Sequence, residues 1–130
     1  MSEGITDQHG TKRWYKNGLL HHVDGPAVEW ADGTKIWYKN GLRHREDGPA
    51  VEYLNGTKKW HINGQKHRED GPANIWWNGD NEWWLHGMRH REDGPAVEHT
   101  GGYQEWWLHG KEYTKDEFIL LQFTKGIINV

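Results

Sequence analysis

Histidines are the residues of this chain most suited to chemistry, and four of them recur at a fixed interval. Ten histidines are present, and the recurring four stand 23 residues apart at His21, His44, His67 and His90. In a sheet that gains two strands per interval, such side chains would lie roughly 9–10 Å apart, which is too far for several to share one metal ion. We interpret this ladder as ring packing, and we expect neither a metal site nor a cofactor.

Carboxylates follow the same interval, at Glu46, Glu69 and Glu92 and at Asp24, Asp47, Asp70 and Asp93. A catalytic site needs one asymmetric set of groups in separate roles, whereas each candidate here has three or four copies. The sequence also holds no phosphate-binding loop, dinucleotide fingerprint, nucleophile elbow or HExxH motif. We therefore predict that the chain is not an enzyme, and we expect cross-strand ion pairs of Lys35 with Glu46 and of Lys58 with Glu69.

Aromatic and arginine side chains give the sequence its candidate binding surface, because such residues anchor protein interfaces. The candidate partner-binding residues are Tyr38, Arg45, Arg68, Trp77, Trp84, Arg89, Arg91 and Trp107. The alternative is that these rings only cover the second face of a thin sheet, with arginines stacked on them for solubility. The third unit departs from the repeat with Asn74-Ile75 in place of Val-Glu, and we expect a specific site near this departure.

The composition favours a folded cytoplasmic protein. Lys and Arg number 16 against 19 Asp and Glu, a formal charge of -3, whereas nucleic-acid binders usually carry a basic excess. The mean hydropathy is only -1.07, but 10 tryptophans are unlike a disordered chain. No cysteine is present, and no apolar run approaches the length of a membrane span. We expect neither nucleic acid nor a membrane as the partner.

A repeat of 23 residues organises the chain. The string Asp-Gly-Pro-Ala begins at Asp24, Asp47, Asp70 and Asp93, and a tryptophan recurs at Trp14, Trp37, Trp60, Trp83 and Trp106. Each unit also holds two glycine turn signals, such as Asp32-Gly33 and Asn40-Gly41, which are typical of β-hairpins. The pattern predicts an all-β fold, a single-layered antiparallel β-meander repeat array of about ten strands.

Two-residue turns at both signals would fix the register. Trp37 would then face His44 across Asn40-Gly41, and Val28 would face Trp37 across Asp32-Gly33. One buried face would collect the Trp, His and Val ladders together with Trp30, Tyr53 and Trp76. The other face would carry Tyr38, Trp84 and Trp107, with Arg89 opposite Trp84 and with Arg45, Arg68 and Arg91 beside the ring row. This register requires the side-chain alternation to shift at Asp47-Gly48-Pro49, so we predict a bulge or break there.

The C-terminal segment departs from the repeat. Thr114 and Glu117 form a capping box, which predicts a helix from about Lys115 to Phe123. This helix is apolar nearly all round, so we expect it to be covered, and Ile127-Ile128 is expected to add a short strand or a partner contact. We divide the chain into residues 1–9 as a lead-in, residues 10–113 as five hairpin repeats, and residues 114–130 as a capping helix and tail.

The repeat unit resembles the MORN repeat. The stretch Tyr38-Lys39-Asn40-Gly41-Leu42-Arg43-His44 carries the resemblance, with an aromatic residue two places before Asn-Gly and a histidine three places after the glycine. The string His-Arg-Glu-Asp-Gly-Pro-Ala is similar to a MORN variant seen mainly in uncharacterised phage, large-virus and bacterial proteins. Thr34 stands where the family has Tyr, and Arg45 stands where it has Gly. The resemblance implies a twisted single-layered sheet that binds partners; MORN arrays are associated with protein scaffolding and with phosphoinositide membranes.

Three functional hypotheses follow. The leading one is a non-catalytic protein-binding module, which the likeness to phage proteins extends to an effector that blocks or sequesters a host defence protein in the host cytoplasm. The alternative is a small-ligand binder in which Trp77, Trp84 and Trp107 stack on a sugar or nucleobase while an arginine holds an anionic group. The third is a self-assembling structural protein, a homo-oligomer formed by open sheets.

Overall fold

The computed structural model describes residues 4–129, and in this range the chain forms nineteen short β-strands and one α-helix. In chain order the strands are β1 Ile5–Thr6, β2 Lys12–Arg13, β3 Tyr15–Lys16, β4 Leu19–Leu20, β5 Val28–Glu29, β6 Lys35–Ile36, β7 Tyr38–Lys39, β8 Leu42–Arg43, β9 Val51–Glu52, β10 Lys58–Lys59, β11 His61–Ile62, β12 Gln65–Lys66, β13 Asn74–Ile75, β14 Asn81–Glu82, β15 Trp84–Leu85, β16 Met88–Arg89, β17 Val97–Glu98, β18 Gln104–Leu108 and β19 Lys111–Tyr113. The helix, α1, spans Lys115–Thr124. The prediction of an all-β repeat array with a short C-terminal helix is confirmed.

Eleven of the strands described form one antiparallel sheet, in the order β1-β2-β5-β6-β9-β10-β13-β14-β17-β18-β19. The other eight pair into four two-stranded hairpins, β3-β4, β7-β8, β11-β12 and β15-β16. A repeat unit therefore contributes two strands to the long sheet and one hairpin beside it. Neighbours in the sheet come from the same unit or the next one, which is the arrangement expected of a repeat array.

The Asn-Gly turns close the side hairpins as predicted. Asn40 and Gly41 have φ angles of 51° and 82°, the left-handed values that a two-residue type I′ turn needs at both positions. The N–H of His44 donates to the carbonyl of Trp37 at 3.1 Å, so these two residues face each other as expected.

The loops at Asp32-Gly33 and at the equivalent Asn55-Gly56 and Asn78-Gly79 are each one residue longer than predicted. We call them the Asp-Gly loops, as distinct from the Asp-Gly-Pro-Ala segments. The N–H of Trp30 donates to the carbonyl of Thr34, and the N–H of Gly33 donates to the carbonyl of Trp30. Gly33 has a φ of 99°, and the carboxylate of Asp32 accepts the N–H of Thr34 at 2.8 Å. Three residues thus form the loop, a turn followed by a glycine bulge, instead of the two-residue turn expected.

This longer loop overturns the predicted register on its side of the unit. Val28 lies opposite Ile36 and not opposite Trp37. Val51 lies opposite Lys59 in the same way. Because a shift of one residue exchanges the two faces of a strand, the predicted face assignment changes with it.

The predicted ion pairs are wrong for the same reason. Lys35 and Lys58 both lie opposite Glu52, one on each side of its strand. Neither lysine lies opposite Glu46 or Glu69, because those two residues belong to loops outside the sheet.

The strand predicted around each ladder tryptophan except Trp106 is broken at that residue, as between β6 and β7 at Trp37. The strands are therefore shorter and more numerous than predicted. The N–H of Trp37 donates to the carbonyl of Ala50 in the Asp-Gly-Pro-Ala segment that follows, while its own carbonyl accepts the N–H of His44. The strand therefore changes partner at this residue, from the long sheet to the side hairpin. Trp106 has no following Asp-Gly-Pro-Ala segment, and it lies inside the uninterrupted strand β18.

Two ladders of hydrogen bonds join successive units. On one edge, Nδ1 of His44 accepts the backbone N–H of Asn63 at 2.9 Å. The same bond, at the same length, is made by His21, His67 and His90. On the other edge, the Thr34 hydroxyl accepts the N–H of Leu54 at 3.3 Å. The ladder histidines therefore act as hydrogen-bond acceptors between units.

The aliphatic core and the tryptophan ladder lie on opposite faces, so the prediction that they share one buried face is wrong. Val28, Ile36 and Val51 form a buried cluster, and Tyr38 and Tyr53 are among the residues packed against it. We call the side that carries Trp14, Trp37, Trp60, Trp83 and Trp106 the tryptophan face. We call the side that carries Tyr38, Arg43, His61, Trp84 and Trp107 the cationic face.

The Asp-Gly-Pro-Ala segment interrupts the strands, which confirms the predicted break. Residues 44–50 form no strand, and the segment ends at Ala50, which is fully buried. Ala27, Ala73 and Ala96 are equally buried at the same place in their units. A small side chain is therefore needed where the loop returns to the sheet.

Helix α1 begins with the predicted capping box of Thr114 and Glu117. Phe118 and Gln122 are its buried residues, and Nε2 of Gln122 donates to the carbonyl of Glu92 at 2.9 Å. The expectation that the helix is covered is only partly met, because Leu120 and Phe123 are exposed. Residues 127–128 form no strand.

Candidate functional site

The predicted interface arginines Arg45, Arg68 and Arg91 lie on the tryptophan face, not beside the Trp84 row as predicted. Each guanidinium carbon lies 3.8–4.0 Å from the ring centroid of the tryptophan eight residues earlier in the chain. Arg45 also donates to the Asp47 carboxylate, the Pro49 carbonyl and the Glu52 carboxylate, each at 3.1 Å. Because their donors are used inside the loop, these arginines hold the loop against the tryptophan.

The buried row of the cationic face changes from aliphatic to polar along the array. In the order of the sheet this row runs through Val28, Ile36, Val51, Lys59, Asn74, Glu82, Val97 and Glu105. The polar members begin within the third unit, at Lys59 and Asn74, and the departure of this unit from the repeat marks the expected position of a specific site. An aliphatic ladder that becomes charged at partly buried positions carries a desolvation cost in folding, so these residues call for a functional reason.

Glu82 lies at the centre of the polar stretch and accepts hydrogen bonds from three side chains. Nε1 of Trp84 donates to it at 2.9 Å, Nδ2 of Asn74 at 3.2 Å, and Nε1 of Trp76 at 3.3 Å. Burial alone would raise the pKa of Glu82, but these donors and the charge of Arg89 outweigh it, and the pKa lies below its ordinary value. The carboxylate is therefore ionised and fixes the two indoles.

Two lysines contact the rings of this face. Nζ of Lys59 lies 4.9 Å from the ring centroid of Trp76, and Nζ of Lys66 lies 4.7 Å from that of Trp84. Burial lowers the pKa of both lysines, and the positive charge of Arg43 acts in the same direction. The cations are thus held close to aromatic rings and close to one another.

His61 is buried among these cations. Burial, followed by the charges of Arg43, Lys66 and Lys59, lowers its pKa to about 4. The ring is therefore neutral at pH 7, and its Nδ1 atom has no hydrogen-bond partner among residues 4–129. His61 takes the place that Tyr38 and Trp84 hold in their units.

The structure brings three of the predicted residues together. Cζ of Arg89 lies 5.3 Å from the ring centroid of Trp84 and 5.2 Å from that of Trp107. The predicted pairing of Trp84 with Arg89 across the turn is confirmed. Glu105 accepts Nε1 of Trp107 at 2.8 Å and lies 3.5 Å from Nη1 of Arg89. We call Trp84, Arg89 and Trp107 the Trp-Arg-Trp cluster.

Two other predicted residues lie apart from this cluster. Tyr38 packs into the aliphatic core and pairs with Arg43 across its turn. Trp77 lies in the Asn78-Gly79 loop at the edge of the array and is 68% exposed, and Leu54 at the equivalent position beside Asn55-Gly56 is 69% exposed.

Sequence reasoning missed the carboxylates of the site and the partly buried Lys59. Lys59, Glu82 and Glu105 stand at 23-residue intervals after Ile36, which is itself buried. The replacement of a buried Ile by charged residues was the available signal. It could not be read without knowing that the Asp-Gly loops hold three residues, which decides the face that each position occupies.

Shallow grooves repeat along the opposite, tryptophan face between successive Asp-Gly-Pro-Ala loops. Three of them enclose about 700–800 Å³ each, and their linings include Arg45, Trp60 and Asp70 in the central one. The linings follow the repeat, except that the groove nearest the N-terminus has His22 and Val23 in place of Arg and Glu and the groove nearest the C-terminus also includes Ile127.

The cationic face can bind anions and aromatic or apolar groups. Four cations, Arg43, Lys59, Lys66 and Arg89, accompany two carboxylates there. Within residues 4–129 there is no group of three or more His, Asp or Glu side chains placed to hold a metal ion. The same residues include no helix with the length and apolar character needed to cross a membrane.

No protein-family model matches the chain, and no curated protein is significantly similar to it in sequence. Its function is therefore inferred from the geometry of the cationic face.

Proposed function

We propose that this chain is a non-catalytic protein-binding repeat module and that it binds its partner through the cationic face. The observation that carries the proposal is the Trp-Arg-Trp cluster, in which Arg89 lies between the rings of Trp84 and Trp107. Trp and Arg are the residues most enriched among the hot spots of protein interfaces. Hydrogen bonds to Glu82 and Glu105 fix both indoles, so little side-chain freedom is lost on binding.

The shape of the face favours a macromolecule over a small ligand. Its charged and aromatic residues extend over at least three units of the array, from Arg43 to Trp107, and a row of this length suits a long partner. The ring of Trp84 already contacts Lys66 and Arg89, so a sugar or nucleobase would have to displace a cation in order to stack on it. A protein partner can instead place carboxylates beside those cations.

The likeness to MORN-variant repeats of phage and viral proteins supports one class of partner. A phage-encoded module of this kind would act inside the host cell, and a protein of the host's defence system is the partner we propose. The single-layered array offers a flat surface on which to block or sequester such a protein without chemistry.

Affinity capture from a bacterial host lysate tests the proposal. The wild-type chain is compared with Arg89→Gln, which removes the central cation, and with the matched control Lys58→Gln, which removes an exposed lysine from the other face. We expect the same proteins, identified by mass spectrometry, on the wild-type and Lys58→Gln chains and their loss from Arg89→Gln. Capture that is unaffected by Arg89→Gln in a chain that melts normally would refute this binding surface.

A further inference from the structure

A ladder of cations crosses the cationic face with the period of the repeat. Arg43, Lys66 and Arg89 occupy equivalent positions in three successive units. Each lies opposite a ring across its turn, and the partner rings are Tyr38, His61 and Trp84. Equivalent positions are two strands apart, so successive cations are separated by roughly 9–10 Å.

The ladder is confined to these three units. Leu20 takes the equivalent position in the unit before it, and Glu112 takes that position in the unit after it. The row therefore begins with an apolar residue and ends with a negative charge. Such limits define a segment of fixed length and not a uniformly basic surface.

The carboxylates of Glu82 and Glu105 lie near the ladder, but they form no close ion pair with its cations in the part of the chain that the structure describes. Among residues 4–129, neither Arg43 nor Lys66 makes an ion pair with a carboxylate, and neither does their neighbour Lys59. Arg89 has only a long contact of 3.5 Å with Glu105. The contrast is with Arg45 on the other face, which has two carboxylates at 3.1 Å.

Unsatisfied buried atoms lie in the same place. Nδ1 of His61 and Nε of Arg89 are buried and have no hydrogen-bond partner among residues 4–129. His61 itself is 5% exposed. A buried polar atom without a hydrogen-bond partner costs free energy, so holding these two side chains at this face has a cost to stability.

We infer that the ladder of Arg43, Lys66 and Arg89 recognises an acidic, extended segment of the partner protein whose carboxylates repeat about every 9–10 Å. The inference rests on the proposed protein-binding function and specifies the chemistry of the partner. Unpaired cations in a row attract carboxylates, and their equal spacing selects among acidic sequences by register.

A polyproline II segment has the required spacing. With three residues per turn and a rise of about 3.1 Å, every third side chain lies on one face, about 9.3 Å from the last. An acidic residue at every third position of a proline-rich segment would therefore place one carboxylate on each cation.

Two synthetic peptides of identical composition test the inference with the full chain. The periodic peptide repeats Glu-Pro-Pro five times, and the control peptide has its five glutamates together, followed by the prolines. Binding is followed by the anisotropy of a fluorescent label. We expect the periodic peptide to bind about tenfold more tightly, and we expect its binding to weaken as salt is added.

Variants assign the effect to the ladder. Arg43→Gln and Lys66→Gln are each expected to weaken the periodic peptide about fivefold or more, whereas Lys58→Gln on the tryptophan face leaves its affinity unchanged. Equal affinity of the wild-type chain for both peptides overturns the inference. It is also overturned if Lys58→Gln weakens binding of the periodic peptide as much as Arg43→Gln or Lys66→Gln does. Tighter binding of inorganic polyphosphate than of the periodic peptide also overturns it, because the site then selects phosphate.

The outcome is separable from that of the proposed function. If neither peptide binds while capture from lysate still depends on Arg89, the acidic-segment inference fails and the protein-binding proposal stands. If the periodic peptide binds in register while capture is unaffected by Arg89→Gln, the ladder is a peptide site and the proposed surface for the larger partner is wrong.

Discussion

The guanidinium carbon of Arg45 lies 3.8 Å from the ring centroid of Trp37, and the same side chain fills the space beside Gly48. A Cβ atom on Gly48 would lie 3.0 Å from that carbon. The glycine of the Asp-Gly-Pro-Ala string is thus required because a stacked arginine occupies the place of a side chain. In the first unit His22 replaces the arginine, and it stacks on Trp14 with 4.5 Å between the ring centroids.

Gly94→Ala is predicted to destabilise the fold. Its Cβ would lie 2.9 Å from Cζ of Arg91, and the arginine is held in place by Trp83 and Asp93. Overpacking of this kind costs about 1–3 kcal/mol, and urea denaturation measures the loss. Gly25→Ala is the matched control, because its nearest neighbour lies 3.6 Å away. Equal losses for the two variants would contradict the stacking explanation.

The turns show what the sequence could predict about this fold. Asn40-Gly41 forms the expected two-residue turn because both residues accept positive φ, a property local to the dipeptide. Asp32-Gly33 carries a similar signal, but there Asp32 bonds the N–H of Thr34 and only the glycine has positive φ. The choice between two and three loop residues depends on how neighbouring units pair, which a single dipeptide does not encode.

The site was only partly predictable, because a loop-length error changes which face a residue occupies. Trp84, Arg89 and Trp107 were assigned from the two-residue turns His86-Gly87 and His109-Gly110, whose length was right, and the structure brings them together. Arg91 was placed by side-chain alternation from His90 along the predicted strand, but the strand ends at Arg89, so Arg91 lies in the following loop, on the opposite face over Trp83. Side-chain direction alternates along a strand, so an error of one residue reverses it.

Acid is predicted to destabilise the fold through His61. Its pKa is about 4 in the folded chain and about 6.5 when unfolded, so the unfolded chain binds more protons between these values. The stability present above pH 6.5 is therefore lost as the pH falls toward 4, by up to roughly 3 kcal/mol. His61→Tyr introduces the residue of the equivalent position Tyr38 and removes this titration.

Urea midpoints at pH 7.5 and pH 4.5 check the prediction by comparing the two chains. The wild-type midpoint should fall more between these values than that of His61→Tyr. Burial also lowers the pKa of His90, which gives both chains a common loss in acid. The difference between the chains isolates His61, and an identical fall in both would show that its burial does not govern the acid response.

Trp77 and Trp83 are predicted to contribute very differently to the stability of the fold. Trp77→Ala should leave the melting temperature nearly unchanged, because its side chain is 68% exposed. Trp83→Ala should cost about 2–4 kcal/mol, since the ring is partly buried beneath Arg91 and a fully buried tryptophan costs somewhat more. Calorimetry of both variants measures the two changes in melting temperature. A large fall with Trp77→Ala would mean that its loop packs more tightly than its exposure indicates.

Ile75→Glu is predicted to stabilise the array by restoring a missing carboxylate. Nη1 of Arg45 donates to Glu52 at 3.1 Å, but Arg68, its equivalent in the next unit, has Ile75 where that glutamate would be. A glutamate there would also lie opposite Lys58. A partly exposed ion pair of this kind contributes about 0.3–1 kcal/mol, which a chemical-denaturation series can resolve.

The reverse variant and a double-mutant cycle identify the source of that gain. Glu52→Ile should lose a similar amount, because it leaves Arg45 in the situation of Arg68. The gain from Ile75→Glu should largely disappear in an Arg68→Gln background, since the coupling between the two positions is then absent. A gain that persists there would assign the effect to Lys58. No gain in either background would mean that Asp70, at 3.0 Å from Arg68, already satisfies the guanidinium.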